Sequence, residues 1–292
     1  MNSSTKLPNR RFSDLQRGLG KGTRSLDYSQ LVNVTIPVFN EETRLRRSIP
    51  KLHTFLTCNC RFKFEIVIAD NASTDGTLAI AQRFSETYSA VRVVHLDQKG
   101  RGRAIKNVWS DSNADVLSYM DVDLSTELCV FPPLIEGLLG GGFDVAIGSR
   151  LLKPSGIKRG LKREFISRSY NLLIKAFFMT EFSDAQCGFK AVTRDTANAL
   201  LPLVEDNGWF MDTELLILAE KLNYRIFDLP VLWVDDDDTR VKIWKTAWDD
   251  IKGLVRLRRN LAAGIYSSAA TKSIRAAHTA SNASNSIKET MQ

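Results

Sequence analysis

Short apolar runs alternate with helix-like segments through the first half of the chain. The runs that predict strands cover residues 31–36, 64–69, 91–96, 115–120 and 143–147. Segments with helical spacing of apolar residues separate them, and Asn40 stands where it would cap the first helix. Strands of this length that alternate with helices are typical of a doubly wound, mainly parallel sheet flanked by helices. We therefore predict an α/β fold in a single domain, residues 30–261.

The second half begins with a basic, amphipathic segment, residues 153–180. Leu161, Phe165 and Leu172 share an apolar face at helical spacing, and basic residues cluster at its start. Such a helix can lie on an anionic membrane, or it can pack on the core with a solvated basic face. Periodicity leaves both interpretations open. The remaining predicted elements are a strand to Thr193, helices at 194–200, 209–222 and 243–261, and a strand at 225–234.

Composition changes at both ends of the chain. Residues 1–29 are rich in Ser, Asn, Gly, Arg and Lys and show little periodic hydrophobicity, which predicts a disordered basic arm. Residues 262–292 turn to Ala, Ser, Thr and Asn and are predicted to form a disordered tail. No apolar run approaches the ~18 residues that cross a bilayer, and the N-terminus lacks the apolar core of a secretory signal.

Charge and cysteine content narrow the functional classes. The net charge of +7 favours an anionic partner: a nucleic acid, a nucleotide-phosphate substrate or an anionic membrane surface. A nucleic-acid-binding module would interleave basic and aromatic residues on one face, whereas the basic clusters here lie in the tails and beside an apolar helix face, so we expect no nucleic-acid partner. Four scattered cysteines and three histidines argue against a zinc site and indicate a reducing compartment.

Candidate chemistry gathers at the predicted carboxyl ends of the strands. Asp70, Asp121, Asp123 and Arg150 each follow a strand, and ligands bind beyond these ends in doubly wound sheets. Asp121 and Asp123, one residue apart, would point to the same side and repel each other unless a cation is present. Mg²⁺ or Mn²⁺ held by carboxylates and substrate phosphates fits this pair. The alternative is a strand that ends in two solvated aspartates.

A glycine-rich basic loop, residues 98–104, precedes one predicted helix. Gly100 and Gly102 would let the backbone approach a ligand closely, and the helix N-terminus would offer N–H groups to phosphate. The alternative is an ordinary connection.

Several motifs in fixed order resemble one family. The segments 36–42 (IPVFNEE), 69–77 (ADNASTDGT), the Gly100/Gly102 loop and 120–123 (MDVD) are similar to family 2 glycosyltransferases of the GT-A fold. The segments 148–150 (GSR), 184–190 (DAQCGFK) and 209–214 (WFMDTE) resemble its polyprenyl-phosphate branch, the dolichyl-phosphate glucosyltransferases and their bacterial relatives. The resemblance covers about residues 31–260.

This resemblance implies roles for residues at the matching positions. On the donor side, Pro37, Asn40 and Glu41 would line the base and ribose pocket, and Asp70 would contact uracil. Lys99, Gly100 and Gly102 would lie near the nucleotide. Asp121 and Asp123 would hold the divalent cation. On the acceptor side, Arg150 and Arg168 would grip the phosphate, Asp184, Gln186 and Lys190 would face the sugar or acceptor, and Arg240 would close over the diphosphate. Of these, Asp123, Asp184, Arg150 and Arg168 would be catalytic.

The resemblance also implies a reaction. It is the metal-dependent, inverting transfer of a sugar, expected to be glucose, from a UDP-sugar to a polyprenyl phosphate, giving a β-linked product. The enzyme would attach peripherally to the cytoplasmic membrane face through segment 153–180 and the basic arms. The alternative is a polysaccharide or protein hydroxyl acceptor, with Asp212 or Glu214 near the catalytic base; we expect positioning roles for that pair. The oligomeric state stays open, a homo-oligomer included.

Two features depart from the family pattern. Arg101 and Arg103 stand where relatives carry small or different residues, and an unusual run of four aspartates occupies 235–238.

Overall fold

The computed structural model describes residues 26–140, 142–152, 157–158, 161–234 and 243–266. Most of the predicted basic arm and tail, the four-aspartate run and Arg240 lie outside the described residues, so those predictions stay predictions.

Nine strands and eight helices are described within these ranges. The strands are β1 (Leu31–Val38), β2 (Lys63–Asn71), β3 (Val91–Leu96), β4 (Val116–Met120), β5 (Val145–Ser149), β6 (Ile157–Lys158), β7 (Phe189–Thr193), β8 (Ile226–Pro230) and β9 (Trp233–Val234). The helices are α1 (Glu42–Asn59), α2 (Thr77–Thr87), α3 (Arg101–Asp111), α4 (Phe131–Leu139), α5 (Leu161–Phe178), α6 (Arg194–Leu200), α7 (Met211–Lys221) and α8 (Ile243–Ala262). Short 3₁₀ turns at Leu128–Val130 and Leu201–Leu203 precede α4 and follow α6.

Seven strands form one mixed, mainly parallel sheet. Its order is β3-β2-β1-β4-β7-β5-β8, and β7 runs antiparallel to both of its neighbours. The chain winds outward from β1 to β2 and β3 on one side and crosses to β4 on the other, so strand order reverses between β1 and β4. Ligands bind at such a switch point. The doubly wound α/β prediction is confirmed, and β1, β2 and β4 carry their carboxyl ends to one edge.

Both faces of the sheet are buried, as a parallel sheet requires. Along β2, Ile66 and Ile68 enter one apolar cluster and Val67 and Ala69 enter the other. Helices α1 and α4 contribute to the first cluster and α3 and α7 to the second. Because strand β4 is buried along its whole length, the loop that follows it is held rigidly at the edge.

Two local predictions were wrong. Asn40 does not cap α1: it has φ +54°, the helix begins two residues later, and the Asn40 carboxamide accepts from the Thr74 backbone N–H at 2.8 Å. The predicted strand 225–234 divides after Pro230, because β8 is the sheet's edge strand and the chain then leaves it to pair β9 with β6.

Helix α5, within the segment 153–180, packs on α8. Ile174 and Phe178 are buried in the core, and the Arg258 guanidinium donates to the Phe177 carbonyl. The core-facing interpretation is therefore correct for this side of the helix. Other side chains point outward: Leu172 is 69% exposed and Met179, just after the helix, 83%. Within the described residues, no helix is long and apolar enough to span a membrane.

A buried carboxyl group joins α8 to the rest of the domain. Asp250 is 3% exposed and accepts hydrogen bonds from the Gln186 carboxamide at 3.0 Å and from the Tyr170 hydroxyl. Burial raises the pKa of Asp250 to about 7, and the hydrogen bonds from Tyr170 and Gln186 only partly oppose it. In the folded protein this carboxyl group therefore titrates near neutrality.

We expect Asp250→Asn to flatten the pH dependence of stability. Because the folded pKa of about 7 exceeds the ordinary value of 3.8, the stability from protonated Asp250 is full below about pH 4 and is lost as the pH rises through 7. As the pH rises from 5 to 8, the free energy of unfolding of wild type should fall by roughly 2–4 kcal/mol more than that of the variant. Urea unfolding at both pH values measures this, with the exposed neighbour Asp249→Asn as control. Parallel pH curves for wild type and Asp250→Asn would contradict it.

Candidate active site

Three loops at the carboxyl edge hold unusual backbone conformations. Asn40, Ala72 and Leu124 follow β1, β2 and β4 respectively, and each has a positive φ of 50–60°. A non-glycine residue in this region costs free energy, and such residues concentrate at functional sites. The first two loops also bind each other, since the Gly76 backbone N–H donates to the Glu42 carboxylate at 3.1 Å. The edge is thus a rigid, locally strained surface.

Asp70 lies buried beneath one end of this surface. Its carboxylate is fully buried, and the His95 Nδ1 atom lies 2.6 Å from Asp70 Oδ2. Asp70 Oδ1 has no hydrogen-bond partner among the described residues. A buried oxygen without a partner is costly, so it is suited to accept from a bound ligand's N–H.

Aromatic and charged groups surround this part of the edge. The Lys99 ammonium lies 3.5 Å from the centroid of the Phe39 ring, and Glu41 pairs with Arg44 at 3.0 Å. Pro37, near the end of β1, and Asn40, on the loop after it, are both half-buried. The structure therefore brings together the residues predicted for the base and ribose.

Asp121 and Asp123 line one small cavity after β4, together with Gly188, Phe189 and Trp233. Both residues are in or beside the turn that follows β4 rather than in the strand itself. A Cβ on Gly188 would lie 1.8 Å from Asp121 Oδ2, so only glycine fits beside that carboxylate. The surrounding protein removes hydration from the Asp123 carboxylate, and this effect, followed by repulsion from the Asp121 charge, raises the pKa of Asp123. The residue as a whole is nevertheless exposed.

This pair fits a divalent cation. Hard carboxylate oxygens are the ligands that Mg²⁺ and Mn²⁺ take, and both carboxylates line one cavity. No cluster of three or more acidic, His or Cys ligands occurs in the described part of the chain. The remaining ligands would therefore be substrate phosphates and water, as in many magnesium sites.

A buried polar network lies directly behind Asp121. Arg101 donates to Asp121 Oδ1 at 2.8 Å and to Asp212 Oδ2 at 2.9 Å. The other Asp212 oxygen accepts from the Tyr119 hydroxyl at 2.5 Å, which in turn accepts from Lys190 at 3.0 Å. Burial opposes the ionisation of Asp212, but the Lys190 and Arg101 charges outweigh it and lower its pKa. Asp212 is thus an ionised, fully engaged carboxylate.

The glycine-rich loop packs against protein rather than opening toward a ligand. A Cβ on Gly102 would lie 2.7 Å from Met211 Cβ, and one on Gly100 would lie 2.6 Å from the Asn207 carbonyl oxygen. The N–H groups of Gly102 and Arg103 donate to the carbonyls of Gly208 and Asn207. The helix N-terminus was predicted to offer N–H groups to phosphate, but those of Gly102 and Arg103 are already bonded within the protein, because the segment before α7 caps the start of α3.

Three predicted acceptor-side residues are internal. Arg150 donates to both oxygens of Asp184, from Nε at 2.7 Å and from Nη2 at 2.9 Å, and each residue is buried. Arg150 overcomes the effect of burial and lowers the pKa of Asp184 to about 2. Lys190 is fully buried and donates to the Cys187 carbonyl at 2.6 Å. The expectation that these side chains face the substrate is not met: two are paired with each other and one lies beneath the site.

The other predicted acceptor-side residues differ in exposure. Gln186 is half-buried and donates to Asp250, and Arg168 is exposed on α5. Sequence reasoning missed His95, Tyr119 and Trp209 as neighbours of the site. Arg101, an arginine in a loop where small residues were expected, was the signal that pointed to the network beyond its already named members Asp121, Asp212 and Lys190.

Comparison with known proteins places this geometry in a family. Residues 33–201 match the model of Glycosyl transferase family 2. The chain is 36% identical to glycosyltransferase AglD of Haloferax volcanii over 217 residues, 73% of this chain but only 34% of AglD, so it spans about a third of that relative. It is 28% identical to the dolichyl-phosphate beta-glucosyltransferase of Dictyostelium discoideum, with 80% of this chain and 76% of that protein covered.

A solved structure shows the same fold. Glucosyl-3-phosphoglycerate synthase from Mycobacterium tuberculosis, in complex with Mn²⁺, UDP-glucose and phosphoglyceric acid, superposes with a TM-score of 0.61 at 19% identity. The superposition covers 78% of this chain and 80% of that one. It confirms the predicted GT-A fold. With a family model that matches more than half of its length, the chain belongs to glycosyl transferase family 2 and is a glycosyltransferase.

Proposed function

We propose that this enzyme transfers a sugar, expected to be glucose, from a UDP-sugar to a polyprenyl phosphate of the dolichyl type. The names of its relatives support this acceptor, and the Mn²⁺ and UDP-glucose in the solved synthase support the donor. The observation that carries the proposal is the state of Asp212 and Glu214. Both are buried and engaged, which suits an acceptor that needs no catalytic base.

The donor side rests on the carboxyl edge. Asp70 Oδ1 would accept from the N–H of uracil, and Pro37, Asn40, Glu41 and Lys99 would surround the base and ribose. Asp121 and Asp123 would hold Mg²⁺ or Mn²⁺ against the diphosphate. The bound cation would neutralise charge that develops on the departing UDP.

The choice of a phosphate acceptor depends on two facts: the nearby carboxylates are already paired, and a phosphate is already ionised. Asp212 accepts from Arg101 and Tyr119, and Glu214 accepts from Arg256 at 2.8 Å and from the Asp206 backbone N–H at 2.8 Å. A phosphate monoester is already ionised at neutral pH, with a second pKa of about 6, so it can attack without losing a proton to the protein. Attack from the face opposite UDP inverts C1 and gives a β-linked sugar phosphate. Arg168 is the exposed cation we assign to the phosphate, with Arg150 in a positioning role.

Transfer to a lipid phosphate tests the proposal. Incubated with a short polyprenyl phosphate, Mn²⁺ and UDP-glucose, UDP-GlcNAc or UDP-galactose, the enzyme should form a sugar-phosphate lipid, measured by thin-layer chromatography.

Asp123→Asn should lower the rate by on the order of 10²–10³-fold with the fold unchanged, because the cation loses a ligand. Asp111→Asn, an exposed carboxylate at the end of α3, is the matched control. Sugar transfer to hydroxyl acceptors alone would overturn the acceptor assignment, and a near wild-type rate for Asp123→Asn would refute the metal role.

Replacement of Asp212 separates the two acceptor classes. If the acceptor is a phosphate, Asp212→Asn should lower kcat less than about tenfold and leave the pH–rate profile in place, since Asn keeps the shape and one of the two acceptor oxygens. Loss of a catalytic base would cost about 10²–10⁴-fold and remove one limb of the profile. The second result would favour a hydroxyl acceptor.

A lipid acceptor requires access to a membrane, and we propose peripheral attachment at the cytoplasmic face. Trp248, Ile251 and Val255 are exposed at helical spacing on α8, and Leu172 is exposed on the adjoining α5. Lys252 lies 5.6 Å from the Trp248 ring centroid and adds positive charge to this surface. Apolar side chains beside basic ones are the pattern of helices that lie in a membrane interface.

Vesicle sedimentation checks this attachment. Trp248→Ser with Ile251→Ser should reduce binding to vesicles that contain anionic lipid by at least about tenfold, because two exposed apolar anchors are lost. Sugar transfer to a water-soluble prenyl phosphate should be unchanged, which shows that the site is intact. Equal vesicle binding by wild type and variant would place the attachment elsewhere.

A further inference from the structure

Arg101 is a buried cation shared by two carboxylates. It is 8% exposed, and one guanidinium nitrogen donates to Asp121 while the other donates to Asp212. Its Cζ atom lies 4.7 Å from the Tyr119 ring centroid and 5.0 Å from that of Trp209. A guanidinium that is stacked and bonded on two sides has little freedom to leave, so its charge is a fixed part of the site.

This charge opposes a metal ion at the aspartate pair. Asp121 Oδ1 lies 2.8 Å from an Arg101 nitrogen, so one of the two carboxylates that would hold the cation is already neutralised. A divalent cation that approaches Asp121 meets repulsion from the guanidinium a few ångströms away. A nucleoside diphosphate would reverse the balance, because its negative oxygens attract both the metal ion and Arg101.

We infer that Arg101 couples the two ligands: it weakens divalent-cation binding to the bare aspartate pair and makes tight binding depend on the nucleoside diphosphate. The inference rests on the proposed metal role of Asp121 and Asp123. In thermodynamic terms Arg101 increases the coupling free energy between cation and nucleotide, which acts equally in both directions. The enzyme thereby takes up the metal with its donor rather than before it.

Manganese binding measured without turnover tests this coupling. Free Mn²⁺ is followed by electron paramagnetic resonance in titrations with and without UDP. In the absence of UDP, Arg101→Gln should bind Mn²⁺ on the order of tenfold more tightly than wild type, because a unit charge beside a ligand is removed. The factor by which UDP tightens Mn²⁺ binding should fall by a similar amount. Arg103→Gln is the matched control: it removes the same charge from the same helical turn, but its guanidinium donates to the Lys99 carbonyl and not to Asp121.

Removal of Arg101 alone leaves Asp212 buried with one partner fewer, and that variant can fail to fold. Asp212→Asn with Arg101→Gln removes both members of this pair, so no unpaired carboxylate remains there. Compared with Asp212→Asn alone, the double variant should show the same tenfold gain in Mn²⁺ affinity without UDP.

The possible outcomes are distinct. Unchanged or weaker Mn²⁺ binding without UDP in both Arg101 variants would overturn the inference and leave the metal site standing. Absence of Mn²⁺ binding to wild type even with UDP would overturn the metal role itself, and the inference with it. An equal gain in Arg103→Gln would show a general charge effect and would also overturn it.

Discussion

The structure of the site depends on one shared ion pair: a single guanidinium held between two carboxylates. Asp121 and Asp212 come from the end of β4 and the start of α7, and Arg101 comes from the start of α3. Two buried or half-buried carboxylates so near each other require a cation between them, since an unpaired buried charge is severely destabilising. The pairing therefore determines where three elements meet, and it fixes the charge that a metal ion would encounter in the proposed site.

Close packing around this pair leaves little room for other residues. Gly102 touches Met211 and Gly188 touches Asp121, and a side chain at either position would collide with its neighbour. Behind them, the Tyr119 hydroxyl donates to Asp212, and Lys190 donates in turn to the Tyr119 hydroxyl. The glycines that suggest a phosphate-binding loop in the sequence thus serve helix packing, and the polar groups that suggest substrate contacts support the site from beneath.

Strand positions and the location of the site could be predicted from the sequence, because apolar runs and the residues that follow them are local patterns. The aspartate pair, Asp70 and the order of motifs needed no tertiary information. Burial of Lys190 and the pairing of Arg150 with Asp184 could not be predicted, since they depend on antiparallel β7 lying between β4 and β5. Asn40 was misplaced because its side chain bonds to a loop 34 residues away rather than to its own helix.

In the proposed reaction, donor, cation and acceptor would meet where these constraints converge. The carboxyl edge places Asp121 and Asp123 beside one cavity, and Asp212 is held in hydrogen bonds with Arg101 and Tyr119, so an acceptor that arrives ionised would fit the site. A crystal structure with Mn²⁺ and UDP tests this account most directly. It should show Mn²⁺ about 2.1 Å from an oxygen of Asp123 and from diphosphate oxygens, with Arg101 still bonded to Asp212. Mn²⁺ bound away from the aspartate pair, or Asp212 released from Arg101 and turned toward the sugar, would contradict it.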